Sequence, residues 1–198
     1  METHIRPAIV LLIVMTILTG IAYPLAITGI AQAIMPDKAN GSLVSRDGEI
    51  VGSALIGQQF TSPGYFHPRP SYAGKGYEAD NSGASNLAPT SRELVTTVRQ
   101  RVAEIQKNEG VARVPIDLVT GSASGLDPDI SPGSALLQVK RITRARGLKE
   151  ATVNALVTAH IKGRMLGLFG ERRVNVLELN LALDALDSAN ETSSKEAQ

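Results

Sequence analysis

This chain of 198 residues contains no cysteine and no tryptophan, and only 4% of its residues are aromatic. The absence of cysteine excludes disulfides, thiol nucleophiles and zinc sites that need a cysteine ligand. The scarcity of aromatic side chains argues against a surface on which bases or sugar rings stack. A formal net charge of +1, without long basic or acidic runs, argues against nucleic-acid binding. The function must therefore come from the location, the shape and the loops of the chain.

The strongest positive signal is a charge-free apolar run from Pro7 to Pro36, which lies between Arg6 and Asp37. A hydrocarbon layer of about 30 Å takes roughly 20 helical residues to cross, and the run exceeds that length. Pro24 does not exclude a span, because the backbone groups that a proline frees in membrane helices are satisfied locally. We therefore predict a transmembrane helix over residues 7–34.

A cleaved signal peptide is the alternative, because Ala31-Gln32-Ala33 fits the small-x-small cleavage pattern. Against it, the apolar core from Ala8 to Ile30 is longer than the roughly 7–15 residues of a signal core. Arg6 and the amino terminus precede the run, so the positive-inside rule keeps residues 1–6 in the cytoplasm. The body of the chain is then expected in the periplasm or the extracellular space.

One side of the predicted span carries small residues at alternating spacings of three and four. They are Thr19, Ala22, Ala26, Gly29 and Ala33. Small residues let helix backbones approach closely in lipid, so this stripe is a candidate packing face for another membrane helix. The alternative is that such residues are simply frequent in membrane helices.

Beyond the span we predict a mixed α+β extracytoplasmic domain over residues 37–187, followed by a disordered tail over residues 188–198. Asp47-Gly48 between two short apolar runs predicts a β-hairpin. Further strands are predicted at residues 114–120 and 174–176. The strand signals are thus short and scattered, as in a domain with a small sheet.

Helix signals are stronger in this domain. Thr90 and Glu93 have the spacing of a capping box, with Thr90 as the cap. Ser131-Pro132 pairs a capping residue with proline at the first helical position, and predicts a helix that ends at Gly147. Other helices are predicted over residues 150–163 and 177–186. The helix after Glu93 is expected to bury Leu94, Val98, Val102 and Ile105.

A loop rich in glycine, proline and serine covers residues 58–89 and holds most of the aromatic side chains. A loop of this length without regular structure is usually functional or disordered, and the aromatic residues argue against disorder. Its residues 64–71 and 82–86 are candidate contacts for a partner. The side chains that we single out are Tyr65, Phe66, His67, Arg69, Ser85 and Asn86.

The residues show no catalytic motif. Gly121-Ser122-Ala123-Ser124-Gly125 resembles a nucleophile elbow, but Ala123 stands where the elbow needs serine. A base for such a site could come only from His67 or His160 in this domain. His67 is expected to be a hydrogen-bonding loop residue rather than a metal ligand. We therefore predict no catalytic residue.

Asp117, Asp127 and Asp129 are candidate ligands for a hard cation such as calcium. Pro128 and the missing continuation break the EF-hand pattern, so capping of nearby backbone N–H groups is favoured. We predict no metal site and no cofactor of the chain's own. An anchored domain that binds a cation or other ligand by itself remains the alternative function.

Four motifs taken together resemble one family. In order, they occupy residues 65–71 (YFHPRPS), 82–87 (SGASNL), 114–132 (VPIDLVTGSASGLDPDISP) and 173–184 (RVNVLELNLALD). With the apolar run, they resemble the C subunit of the Kdp potassium-transporting ATPase from about Pro7 to Asp184. The resemblance covers nearly the whole chain.

The resemblance implies a non-catalytic accessory subunit of a bacterial inner-membrane complex for high-affinity potassium uptake. The implied partners are a channel-like subunit that selects potassium, a P-type ATPase subunit and a very small membrane subunit. ATP and potassium would be handled by the complex, and the family is described as a catalytic chaperone that raises the ATPase subunit's affinity for ATP. If the domain faces outward, such an effect must act through the membrane, as a coupling between distant sites.

Overall fold

A computed structural model describes the backbone of residues 2–196 and the side chains of residues 4–187. The chain forms two compact units, Met1–Ser53 and Ala54–Gln198. The first unit contains α1 (Glu2–Ile17), a π-helical turn (Leu18–Ala22), α2 (Tyr23–Ile34), α3 (Pro36–Ala39), β1 (Leu43–Arg46) and β2 (Glu49–Ser53). The second contains α4 (Arg92–Glu109), a 3-10 turn (Ile116–Leu118), β3 (Asp129–Ile130), α5 (Pro132–Arg146), α6 (Glu150–Ala159), β4 (Val174–Asn175) and α7 (Val176–Glu196).

The N-terminal helical stretch is long and apolar enough to cross a membrane over His4–Ile34. Its π-helical turn lies immediately before Pro24, and the N–H of Tyr23 reaches back five residues to the carbonyl of Leu18. Proline has no N–H to donate and its ring crowds the preceding turn, so the helix widens there instead of breaking. The predicted tolerance of this proline is confirmed.

The predicted hairpin is also confirmed. β1 and β2 pair as antiparallel strands with Arg46 opposite Glu49. Asp47 and Gly48 have φ values of 53° and 85°, the left-handed conformation that a two-residue hairpin turn requires. The hairpin therefore follows from its turn residues, as the sequence indicated.

The core of the second unit is formed by α5, α6 and α7 with the two-residue antiparallel pairing of β3 and β4. This mixture of helices and a small sheet confirms the α+β part of the predicted architecture. The core side chains are Phe66, Ile130, Ala135, Val139, Ile142, Val153, Val157, Val174, Val176, Leu179 and Leu183. Phe66 is the one member that precedes α4 in the chain.

Helix ends follow their capping chemistry, with one correction. In α5, Ser131 accepts a hydrogen bond from the N–H of Ser134 (3.1 Å), and the helix ends at Gly147, as predicted. In α4 the cap is Ser91 rather than Thr90. Adjacent hydroxyl residues compete for the same role, and the helix starts one residue later than the capping-box spacing implied.

Three further predictions need correction. Residues 114–120 contain a 3-10 turn at Ile116–Leu118 instead of a strand. Pro115 has the φ of a helical start, and the backbone bonds stay local, since the N–H of Thr120 reaches the Ile116 carbonyl at 3.0 Å. α6 ends at Ala159 rather than near residue 163. α4 buries none of its residues fully, and its apolar face is only half-buried.

The chain end has two parts. β4 and α7 confirm the short strand and the last helix that the sequence predicted, although α7 extends to Glu196. The side chains of residues 188–198 lie outside the described part of the chain. The disordered tail therefore stays a prediction.

Candidate functional site

Residues 64–71, which we call the clamped segment, are held by α5 on one side and α7 on the other. The N–H of Phe66 donates to Asn180 Oδ1 (2.8 Å), and Asn180 Nδ2 donates to the Phe66 carbonyl (3.0 Å). His67 repeats the pattern with Gln138, at 2.7 Å and 3.1 Å. Both amides are buried. Each carboxamide supplies a donor and an acceptor, so it satisfies the loop backbone as a neighbouring strand does.

The side chain of Phe66 is fully buried within the core cluster. This corrects the expectation that its ring is presented to a partner. Phe66 is the largest apolar side chain of the segment, and burying such a side chain stabilises a fold by about 1.5–3 kcal/mol. The ring therefore anchors the segment from inside.

Arg146, in the last turn of α5, fixes the start of the segment. Its Nε donates to the Gly64 carbonyl (2.6 Å), and its guanidinium lies 4.5 Å from the centre of the Tyr65 ring. Asp184 and Asp187 accept from its terminal nitrogens, and Tyr65 Oη donates to Asp184 (3.2 Å). Burial alone lowers the pKa of Arg146, but the bonds and charges of the two aspartates outweigh it and raise the pKa. Tyr65 is thus half-buried and held in one orientation.

Arg141 supports the same segment from one turn earlier on α5. Its Nε bonds Glu109 Oε1 of α4 (2.6 Å), and Nη1 donates to the Tyr65 carbonyl (3.0 Å). Burial, and next the charge of Arg141, lower the pKa of His67, while a bond between its Nε2 and the Ser62 carbonyl (3.0 Å) opposes the shift. His67 is therefore neutral near pH 7 and bonds within its loop, as predicted.

Two nitrogens of the Arg69 guanidinium contact other parts of the domain, whereas its buried Nε has no hydrogen-bond partner among the described residues. Nη1 forms an ion pair with Asp127 (2.6 Å), and Nη2 donates to the Gly121 carbonyl (3.4 Å). The hydroxyl of Tyr77 donates to the Arg69 carbonyl. Burial raises the pKa of Tyr77 to about 12, so this hydroxyl keeps its proton at neutral pH. Arg69 is thus a half-buried tie between two loops.

The glycines of residues 121–125 allow this loop to pack directly on the backbone of the aromatic loop. Ser71 Oγ donates to the Gly125 carbonyl (2.6 Å). Gly125 has a φ of 67°, and a Cβ there would lie 2.5 Å from the Gly83 oxygen and 2.6 Å from the Ala73 nitrogen. Any larger residue would push the two loops apart. The motif that resembled a nucleophile elbow therefore serves close packing.

Residues 82–86 are tied by a hydrogen bond at their start, half-buried in the middle and exposed at both ends. Ser82 Oγ donates to the Ser124 carbonyl (2.9 Å). Ser85 is half-buried, whereas Asn86 is exposed with a φ of 52°. Asn86 is consequently the most accessible of the predicted contact residues.

The three aspartates that could have gathered a cation serve separate local contacts. Asp117 accepts from Ser131 and so supports the first turn of α5 (2.7 Å). Asp127 accepts from the N–H of Asp129 (3.0 Å), and Asp129 pairs with Arg173 (2.9 Å). The backbone-capping role that the sequence favoured is confirmed for Asp117 and Asp127, whereas Asp129 forms an ion pair instead. Among the described residues, no three acidic or histidine side chains group as metal ligands.

In the described part of the chain, the two serines of the 121–125 loop form no hydrogen bond with His67 or His160. Ser122 and Ser124 share a contact of 3.4 Å between their hydroxyls. His160 Nδ1 lies 2.8 Å from the Leu156 carbonyl, and His67 bonds a carbonyl of its own loop. Among the described residues, neither Ser122 nor Ser124 bonds a histidine ring as a nucleophile elbow would need.

The small-residue stripe of the N-terminal helix is exposed in the first unit. Thr19 lies inside the π-helical turn, and its hydroxyl donates to the Met15 carbonyl (2.7 Å). A π turn changes the angle between successive residues, and both Thr19 and Ala22 lie in it, so the regular spacing of the stripe is interrupted between these two residues. Ala22, Ala26, Gly29 and Ala33 keep their spacing.

Sequence reasoning missed Gln138, Arg141, Arg146 and Asn180, which hold the clamped segment. A signal for one of them exists: Asn180 stands between Leu179 and Leu181 in a helix whose core-facing positions are otherwise apolar. A polar side chain on a core face needs a buried partner. The sequence does not say which backbone supplies it.

Comparison with known proteins places this arrangement in a family. The profile described as K+-transporting ATPase, c chain (KdpC) matches residues 5–185. The chain belongs to the KdpC family. A potassium-transporting ATPase KdpC subunit of Gemmatimonas aurantiaca is 55% identical over 96% of this chain and 96% of its own length.

Two further relatives carry the same name. The KdpC subunit of Methylorubrum populi is 56% identical and covers 94% of this chain and 98% of its own length. That of Koribacter versatilis is 49% identical over 93% of this chain and 95% of its own length. The resemblance drawn from the four motifs is confirmed. Membership in this family makes the chain a subunit of a potassium-transporting ATPase complex, and its N-terminal helix is consistent with a membrane anchor.

Proposed function

We propose that this chain is a non-catalytic accessory subunit that is needed to assemble the potassium-transporting ATPase complex. The N-terminal helix holds it in the inner membrane with residues 1–6 in the cytoplasm, and the second unit lies in the periplasm. Its partners are the potassium-selecting channel-like subunit, the P-type ATPase subunit and the small membrane subunit. The chain has no cofactor of its own, and ATP and potassium are handled by the complex.

The observation that carries the proposal is the construction of the clamped segment. Buried Asn180 and Gln138, with Arg141 and Arg146 of α5, hold the backbone of residues 64–71 on a rigid base. Rigid presentation lowers the entropy that a contact surface loses when it binds. The residues that we assign to the partner contact are Tyr65, His67, Arg69, Ser85 and Asn86, of which Arg69 also keeps its ion pair with Asp127. Buried Phe66 anchors the clamped segment that carries the first three.

Two other features support the proposal. The small residues Ala22, Ala26, Gly29 and Ala33 are exposed and suited to close packing with a partner's membrane helix. The aspartates of the 117–129 region are engaged in capping and ion pairs, which favours an accessory subunit over an independent cation-binding domain. A domain outside the cytoplasm would raise the ATP affinity of the ATPase subunit only by coupling across the membrane.

The test is co-purification of the tagged full chain from potassium-starved cells in mild detergent. The parent chain should recover a P-type ATPase and a channel-like partner with potassium-stimulated ATP hydrolysis. Recovery of the chain alone would support the independent binding domain instead.

A matched pair of variants locates the contact. Asn86→Arg puts a long charged side chain at the exposed end of the 82–86 segment, whereas Asn81→Arg makes the same change at another exposed site of the same loop. We expect the first variant to lose partner recovery and the second to keep it. Because Asn86 has a φ of 52°, Asn86→Arg should lower the unfolding temperature slightly while the chain stays folded. Equal recovery with both variants would remove the 82–86 segment from the contact surface.

A further inference from the structure

Residues 162–173, which we call the tip hairpin, project a compact group of apolar side chains into solvent. Two pairs of backbone bonds build the hairpin, between Lys162 and Arg173 (2.8 and 3.1 Å) and between Met165 and Phe169 (2.9 and 3.0 Å). Its end exposes Met165 by 66%, Leu166 by 84%, Leu168 by 76% and Phe169 by 60%. No sequence motif predicted this hairpin.

This concentration of apolar surface is unusual within the second unit. Its described residues include eight exposed large hydrophobic side chains, and four of them lie between positions 165 and 169. The other four, Leu55, Val95, Ile116 and Leu136, are separated along the chain. Scattered exposed apolar residues are normal, whereas a contiguous group marks a surface that is covered in use.

The turn itself keeps these side chains outward at an energetic cost. Leu166 has a φ of 53°, a left-handed conformation that a leucine rarely adopts, and it is followed by Gly167 at 74°. Such a residue costs of order 1–2 kcal/mol relative to ordinary backbone. A strained, solvent-exposed leucine contributes no packing within the domain that offsets this cost, so the cost points to a use outside it.

Basic residues surround the apolar end. Within residues 162–173 there are four cations, Lys162, Arg164, Arg172 and Arg173, and one anion, Glu171. Arg164 pairs with Glu171 (3.1 Å), and Lys162 and Arg173 pair with acidic residues outside the hairpin. Arg172 is exposed and makes no ion pair with the described residues. Apolar side chains with a basic border match the interface of an anionic bilayer, where rings and aliphatic chains enter and cations meet headgroups.

We propose that the tip hairpin is a second membrane-binding element, which inserts Met165, Leu166, Leu168 and Phe169 into the headgroup region of an anionic bilayer. A lipid surface accommodates a protruding apolar end without a complementary pocket, and the basic border selects negative headgroups. A chain already anchored by one helix needs only a weak second contact, because the anchor raises the effective lipid concentration. The inference depends on that anchor and not on the partner contacts proposed above.

The absence of tryptophan gives a clean test on the full-length chain. Phe169→Trp places one reporter on the hairpin, and Ile116→Trp places one at an apolar site that is 74% exposed elsewhere in the same unit. Each variant is reconstituted alone into nanodiscs of phosphatidylethanolamine and phosphatidylglycerol, with and without brominated acyl chains. Unchanged unfolding temperatures check that both variants fold.

We expect blue-shifted emission and loss of intensity with brominated lipid for Phe169→Trp, and neither effect for Ile116→Trp. Unquenched, red emission from Phe169→Trp would overturn the proposal. A blue shift without bromine quenching, seen only after the other subunits are added, would also overturn it in favour of a protein partner.

The charge requirement is tested on the same reporter. Adding Arg172→Glu should reduce quenching in phosphatidylglycerol discs, whereas Arg113→Glu, an equally exposed site outside the hairpin, should not. Quenching in neutral phosphatidylcholine discs should be weaker than in anionic discs. Equal quenching in both lipids would remove the basic residues from the proposal.

Discussion

Phe66 and Phe169 occupy opposite surroundings in the same domain. The clamped segment around Phe66 has no regular secondary structure, yet its ring is fully buried and its backbone is bonded by two buried amides. The tip hairpin has a regular backbone pairing, yet Phe169 is 60% exposed. Regular backbone pairing therefore does not determine whether a side chain in these two segments is buried. What decides burial is whether another element supplies partners for the segment.

The largest expected effect comes from removing the buried ring. Phe66→Ala should lower the free energy of unfolding by about 3–5 kcal/mol, because it leaves a cavity in the core. Phe169→Ala, the same change on the hairpin, should alter it by less than about 0.5 kcal/mol. Thermal unfolding of the full chain in detergent, followed by circular dichroism, measures both. Similar decreases in the free energy of unfolding for the two variants would contradict the contrast between a buried Phe66 and an exposed Phe169.

The next effect tests the amide clamp without touching the ring. Asn180→Asp keeps the acceptor for the Phe66 N–H, but the ionised carboxylate has no donor for the Phe66 carbonyl and buries a charge, so it should cost at least about 1–3 kcal/mol. Asn81→Asp makes the same change at an exposed position and should be nearly neutral. The same unfolding measurement applies. An unchanged free energy of unfolding for Asn180→Asp would show that the two amide bonds position the segment without stabilising the fold.

A pH dependence is expected from His67 in the clamped segment. Burial lowers its pKa in the folded chain, so the unfolded chain binds the proton more readily. Stability from this group is therefore full above about pH 6.5 and falls as the pH drops below it. Over about pH 7.5 to 5.5 the parent should lose more stability than His67→Gln. Asp129, whose pKa burial raises, acts with the opposite sign at lower pH. Parallel curves of unfolding free energy against pH for the parent and His67→Gln would show that His67 does not contribute to the pH dependence.

The smallest effect concerns the strained turn of the hairpin. Leu166→Gly relieves a left-handed leucine and should leave stability unchanged or raise it by up to about 1 kcal/mol. Leu168→Gly, at a neighbouring exposed site without a positive φ, should lower it by a few tenths of that amount. The clamped segment contains no positive φ, so this strain distinguishes the two regions. Equal losses from both variants would mean that the turn is unstrained.

Local signals predicted the elements that depend on neighbouring residues. The turn at Asp47-Gly48, the cap at Ser131 and the helix end at Gly147 each follow from the conformational preference of one or two residues. The strand predicted at residues 114–120 was wrong, because the apolar residues there suit either a strand or a packed turn. Pro115 and the bonds of Asp117 decided in favour of the turn.

That residues 64–71 and 82–86 contact a partner stays a prediction, and the orientation of their side chains could not be read from the sequence. Residues 64–71 and 82–86 were recognisable from motifs, and they do lie at well-built loops. That Phe66 turns inward depends on Asn180, which is 114 positions away, and the hold on His67 depends on Gln138, 71 positions away. Sequence periodicity carries no information over such separations.

The apolar N-terminal helix, the family, the hairpin turn and most helix ends could be read from the amino-acid sequence, because they depend on composition, motif order and local backbone preference. Three features became visible only in the folded chain. The clamped segment is held by buried amides, the 121–125 glycines allow two loops to pack together, and the side chains of residues 165–169 project outward. The physical reason is that burial and hydrogen-bond partners arise from contacts between distant segments. A phenylalanine can be buried, as Phe66 is, or exposed, as Phe169 is, and only those contacts decide between the two.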